Sequence, residues 1–133
     1  MITERDLRYY KYLLQEIDLL EEGIKAIETR LMTVSSPRVD GMPHAHTVTD
    51  GADLIAVYID QQESLGSRLN DAIKLRAEIE KAVDSLPANE CMAIKCRYLF
   101  DMTIFKVAAE MNYSESQVKR IIKSGLARLE AEK

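Results

Sequence analysis

A chain of 133 residues with 18 basic and 22 acidic side chains has room for one ordinary domain or two small ones, and its net charge of −4 argues mildly against a polyanion as partner. No apolar run approaches the roughly 18 residues that a membrane span needs, and the charged opening MITERDLRYY lacks the apolar centre of a signal peptide, so the expected location is the cytoplasm, with no membrane partner. The mean charge conceals a division, because residues 1–86 hold ten basic and sixteen acidic side chains, net −6, and residues 87–133 hold eight and six, net +2.

In chain order, Leu7, Tyr10, Leu14, Ile17, Leu20, Ile24, Ile27 and Leu31 step by three and four, which predicts a helix of about seven turns with one apolar seam. Thr3, with Asp6 three further on, fits as its cap. Val34 to Gly51 breaks the period with Pro37, Gly41 and Pro43 and reads as a long loop. Leu54, Tyr58, Leu65, Leu69, Ala72, Arg76, Ile79 and Val83 then restore the helical period, starting from Thr49 or Asp50. Two long helices joined by a loop most simply form an antiparallel hairpin. A lone hairpin buries little, so its stripes are expected to meet a third helix or a second copy of the chain.

Pro87 ends the second helix, since the residue before a proline is pushed out of the helical region. Leu86 to Phe100 is expected to be helical, with Pro87 in its first turn and Cys91, Ile94, Tyr98 and Leu99 on roughly one face. DMT breaks the chain and supplies Thr103 as N-cap for a two-turn helix, Ile104 to Met111. Asn112 tolerates the left-handed conformation and turns the chain. Ser114 then caps a last helix, with Gln117 completing a capping box. A small residue in the first short helix (Ala108), a left-handed residue four later (Asn112), and branched apolar residues six and nine beyond it (Val118, Ile121) satisfy the spacing of a helix-turn-helix. Ser114 to Leu129 carries Lys119, Arg120, Lys123 and Arg128 against Glu115 alone.

Leu86 to Glu130 resembles region 4 of bacterial sigma-70-type factors in the LP-x-x-E opening, the pair Arg97–Tyr98, the threonine starting the short helix, the S-x-x-x-V-K of the last helix and the terminal LARLE. The full arrangement, an acidic two-helix part with the loop SSPRVDGMPHAH and then this module, is similar to the RinA/ArpU-like regulators of Gram-positive temperate bacteriophages, which switch on late genes. Carried over by position, the region 4 resemblance implies that Glu115, Ser116, Gln117, Lys119 and Arg120 meet the major groove of double-stranded DNA, and Ser114 at the cap is counted with them as a DNA-binding residue. Gln117 suits adenine, Glu115 cytosine N4, and Lys119 or Arg120 guanine or phosphate. Lys123, Lys106 and Thr103 fall to the backbone. The chain departs from the family in having Glu115 and Ser116 where more arginine is usual.

The fold class expected is therefore all-α, an N-terminal long helical hairpin followed by a C-terminal sigma-70 region 4-like helix-turn-helix domain. Residues 1–85 form an oligomerisation or partner-binding module and residues 86–133 the DNA reader. The resemblance implies a transcription regulator, a late-gene activator of a phage or prophage working with bacterial RNA polymerase, and a homodimer is a further expectation. A small terminase-like DNA-packaging protein and a region 4-like adaptor are the alternatives. No Gly-rich phosphate loop, nucleophile elbow or paired carboxylates point to an enzyme. His44 and His46 in PHAH lack further ligands at a repeating spacing, so neither metal nor cofactor is expected and the loop is read as a docking surface. Cys91 and Cys96, five apart on a helix, point to different faces and are expected to be reduced.

Overall fold

The computed structural model describes residues 2–35 and 51–131. The loop expected at 34–51, with His44 and His46, lies outside them except at its ends, where the flanking helices begin and stop. Every regular element among the described residues is helical: α1 Glu4–Ser35, α2 Gly51–Asp84, α3 Ala88–Ile94 continued by a π-helical turn Lys95–Leu99, α4 Ile104–Met111 and α5 Glu115–Ala131. The long α1–α2 hairpin and the short C-terminal helices are those the periodicity predicts. No helix among the described residues is long and apolar enough to cross a membrane.

The chain divides into two compact units, one of Met1–Gln15 with Ile73–Lys133 and one of Glu16–Ala72. In the first, the start of α1 and the end of α2 share a unit with all the short helices. Its side chains Leu7, Leu13, Ile79, Val83, Ile94, Val107, Val118 and Leu129 are fully out of contact with solvent or nearly so. Around α4 and α5 a tight cluster of Ala93, Cys96, Val107, Ala108, Val118 and Ile122 is flanked by Tyr98, Met102, Ile104, Ile121 and Leu126. Both α3 and α4 pack on α5. Close approach of α3 and α5 depends on Gly125, since a Cβ there would stand 2.5 Å from Ile94 Cδ1 and 3.3 Å from Glu90 Cβ.

Polar contacts fasten the helix ends inside this unit. The Thr3 N–H and hydroxyl donate to Asp6 Oδ2 at 3.0 and 3.2 Å, closing the cap expected at the start of α1. Tyr10 donates its hydroxyl to Glu80 Oε1 at 2.6 Å, and Tyr98 donates to Glu4 Oε1 at 3.1 Å. Lys95 pairs with Asp84 at 2.5 Å.

Two details differ from the periodicity reading. At the third step of the α1 seam the buried residue is Leu13, with Leu14 only half-buried, because a 3.6-residue period leaves two adjacent positions nearly equivalent there. The second concerns Leu86 to Phe100, which is not one regular helix. Phe100 N–H donates to Lys95 O at 2.9 Å, an i→i+5 bond that inserts an extra residue into the turn and rotates the residues beyond it. The buried face is Glu90, Ala93, Ile94 and Cys96, while Cys91 before the turn and Tyr98 and Leu99 within it are half-buried.

In the unit Glu16–Ala72, α1 contributes Ile17, Leu20 and Ile27 to the interior and α2 contributes Ala72. The two helices approach closely at Gly23, where a Cβ would lie 3.3 Å from Leu65 Cδ1. The expected α2 stripe of Leu54, Tyr58, Leu65 and Leu69 is only half-buried, and Leu19, Met32, Val57 and Ile59 are exposed. The seam is present, but two helices alone do not cover it.

Candidate nucleic-acid interface

The break before α4 is built by Asp101, which adopts the left-handed region with φ 54°, and by the Arg97 guanidinium, which donates to Met102 O at 2.8 Å. Met102 N–H returns to Cys96 O at 3.0 Å, so the three residues DMT are pinned from both sides. Thr103 is extended (φ −72°, ψ 158°) and its hydroxyl accepts from the Lys106 N–H, which makes it the N-cap of α4. At the other end Asn112 sits at φ 59°, ψ 38°, left-handed as expected, and its N–H donates to Ala108 O. With Ala108 buried beneath it, the turn brings α5 directly onto α4.

The capping box of α5 is complete. Gln117 N–H donates to Ser114 Oγ at 3.2 Å, and Ser114 N–H donates to Gln117 Oε1 at 3.0 Å. The bond engages the amide oxygen through one of its two acceptor sites and leaves the amide nitrogen of Gln117 as a donor for a further partner.

Val118, Ile122, Gly125 and Leu129 face the core along α5, with Ile121 and Leu126 half-buried at its border. Ser114, Glu115, Ser116, Gln117, Lys119, Arg120 and Lys123 are all exposed, as are Thr103 and Lys106 at the start of α4. The candidate residues thus come from the first turn of α4 and the first half of α5. Among the described residues neither Lys119 nor Lys123 has an ion-pair partner, and the Arg120 Nε reaches only Ser116 O at 3.5 Å. Their charges are available to solvent or a polyanion. Tyr113, Gln117, Arg120 and Ile121 surround a shallow depression of about 320 Å³ beside this row.

Sequence reading counted Arg128 with the other cations of α5, but its role is internal. Glu90 on α3 is 5 % exposed, and the Arg128 Nε lies 2.9 Å from its Oε2 and 3.1 Å from its Oε1. The aligned hydrogen bond is to Oε1; Oε2 has the charge contact alone. Ser124 adds its hydroxyl to Oε1 at 2.5 Å. The available signal was a carboxylate at Glu90 three and four residues before Ala93 and Ile94, on the same apolar stripe, where an uncompensated charge is not tolerated. Also unforeseen are the exposed apolar side chains Phe100 (63 %) and Phe105 (73 %) around α4.

Cys96 is buried and Cys91 half-buried, both free. Burial, with the Glu110 carboxylate adding to it, pushes the Cys96 thiol up and makes it a poor nucleophile. Among the described residues no group of three His, Cys, Asp or Glu side chains is placed to hold a metal ion, and His44 and His46 lie outside them.

No curated protein and no solved structure matches the chain. Residues 82–131 match the family described as Sigma-70, region 4. That segment is similar to sigma-70 region 4 in sequence and carries a helix-turn-helix in structure, which ties it to DNA binding in transcription, the work of modules that are typically non-catalytic.

Proposed function

We propose that the chain is a sequence-specific DNA-binding transcription regulator in which residues 86–133 read double-stranded DNA and residues 1–85 dimerise or engage bacterial RNA polymerase. The observation that carries this reading is the division of α5, whose apolar side seats the helix while Glu115, Ser116, Lys119, Arg120 and Lys123 stand exposed in a segment similar to region 4. Gln117 joins them with its amide nitrogen. Thr103, Lys106 and Lys123 contact phosphates. A late-gene activator of a phage or prophage is the setting that the acidic two-helix part and its proline-bearing loop support.

With Arg128 committed to Glu90, the free cations of α5 are Lys119, Arg120 and Lys123. Few phosphates are neutralised, so binding by the chain alone is weak and falls steeply with salt. A second copy or a polymerase contact supplies the rest through effective concentration. Mapping bound DNA across phage and host genomes, with and without RNA polymerase, tests the reading. Occupancy that ignores a combined Gln117→Ala, Lys119→Ala, Arg120→Ala variant sinks it.

A second reading, a small terminase-like packaging protein, draws on the half-covered apolar faces of Glu16–Ala72, which suit oligomerisation. Ring assembly in solution supports that reading. A monomer or dimer that co-purifies with RNA polymerase supports the first, and unchanged transcription in the triple variant supports a region 4-like adaptor.

A further inference from the structure

We infer that the depression lined by Tyr113, Gln117, Arg120 and Ile121 receives the C5-methyl group of a thymine, making Tyr113 and Ile121 specificity-determining residues. This rests on the DNA-reading function proposed above and names what one part of that surface recognises. The hollow combines two kinds of lining. Tyr113, 40 % exposed in the turn, and Ile121, half-buried, give it an apolar floor and wall. Gln117 and Arg120 are exposed polar groups on the same side of α5.

Ile121 packs against the cluster of Val107, Ala108, Val118 and Ile122, so the floor is fixed rather than collapsible. Gln117 is fixed as well, its Oε1 held by the Ser114 N–H. A phosphate would call for cations without an apolar lining. The edge of a base pair in the major groove offers hydrogen-bonding atoms and one apolar group, the thymine methyl, and a rigid apolar hollow bordered by Arg120 matches that combination. At about 320 Å³ it has room for the methyl and the adjoining base edge. Burying one methyl in such a hollow is worth about fourfold in affinity.

The test uses the full-length chain. A randomised duplex pool is selected at low ionic strength, with and without RNA polymerase, and the enriched duplex is resynthesised with deoxyuridine replacing thymidine at one position at a time. The exchange removes only the methyl. One or two positions are expected to lose about fourfold in affinity with the wild-type chain, and to lose nothing with Tyr113→Ala or Ile121→Ala. Tyr113→Ala alters an exposed turn side chain, which keeps the test decisive if Ile121→Ala unfolds. Uracil tolerated at every position, or a penalty unchanged in the Tyr113 variant, overturns the inference while leaving DNA reading intact. No enriched duplex under either condition overturns the DNA reading itself, and this inference with it.

Discussion

Glu90 and Arg128 stand 38 positions apart in the chain and meet at 2.9 Å, one on α3 and the other near the end of α5. The carboxylate is buried and the guanidinium is mostly in water, at 59 % side-chain exposure, so the two ends of the pair are not equivalent. Removing the cation strands a buried charge, whereas replacing the acid leaves an arginine free to solvate.

Arg128→Ala is accordingly expected to destabilise the chain by about 1–3 kcal/mol, at the low end for a buried pair because Arg128 is well solvated. Ser124→Ala, which removes the hydroxyl bonded to Glu90, costs about 1 kcal/mol. Urea unfolding of both variants checks this. A double variant with Glu90→Gln should recover part of the Arg128→Ala loss, and no recovery would count against the pairing as the cause.

Salt dependence separates the cations of α5. Lys119→Ala and Lys123→Ala should each lower the slope of log K against log salt by about 1, since each is an unpaired cation available to a phosphate. Arg128→Ala should leave that slope unchanged in protein that remains folded. Titrations of DNA binding at a series of salt concentrations read the difference.

The Ser114–Gln117 box makes a stability prediction independent of DNA. Ser114→Ala is expected to cost about 1 kcal/mol through loss of the cap. Gln117→Glu retains an acceptor for the Ser114 N–H and should be nearly neutral in thermal unfolding. The same variant exchanges the amide nitrogen for an oxygen and should weaken any contact to a base acceptor such as adenine N7. Equal stability with unchanged sequence preference would remove Gln117 from the reading surface.

A pH limb is expected from Tyr10. Burial, with the bond to the Glu80 carboxylate reinforcing it, pushes the phenol from 10.0 up to about 12. The folded state therefore holds the phenolic proton more tightly than the unfolded chain. Its contribution to stability is complete below pH 10 and is lost as pH rises through 10 to about 12. Tyr98 is raised in the same direction, by burial and by Glu4, and adds to the limb. Denaturant midpoints across that range should fall, and Tyr10→Phe should flatten the fall.

Local chemistry was legible in the sequence, and long-range pairing was not. Thr103, Asn112, Ser114 and Gln117 act within four residues of themselves, through caps and a left-handed turn, and each stands in the structure as its residue type requires. The exposed row from Glu115 to Lys123 follows from the helical period once Val118 and Ile122 are seated. The π-turn at Lys95–Leu99, where Tyr98 bonds to Glu4 and Lys95 pairs with Asp84 far along the chain, has no signal in the helical period, so the period alone carried the buried face past Cys96 to Tyr98 and Leu99. Arg128 read as one more surface cation because its partner lies on another helix. In α2, Leu54, Tyr58, Leu65 and Leu69 have the right spacing, but spacing does not say whether one neighbouring helix suffices to cover them.

The anchoring of α5 at its far end by Glu90, Ser124 and Arg128 separates the positions that hold the helix from those that face outward at its start. Glu115, Ser116, Lys119 and Arg120 carry little of the folding stability, so they are free to change without endangering the domain. If the proposed DNA reading holds, the module is in that respect retargetable: new operators are reachable by exchanging those four side chains, while Glu90, Ser124, Gly125 and Arg128 stay constant as the mounting.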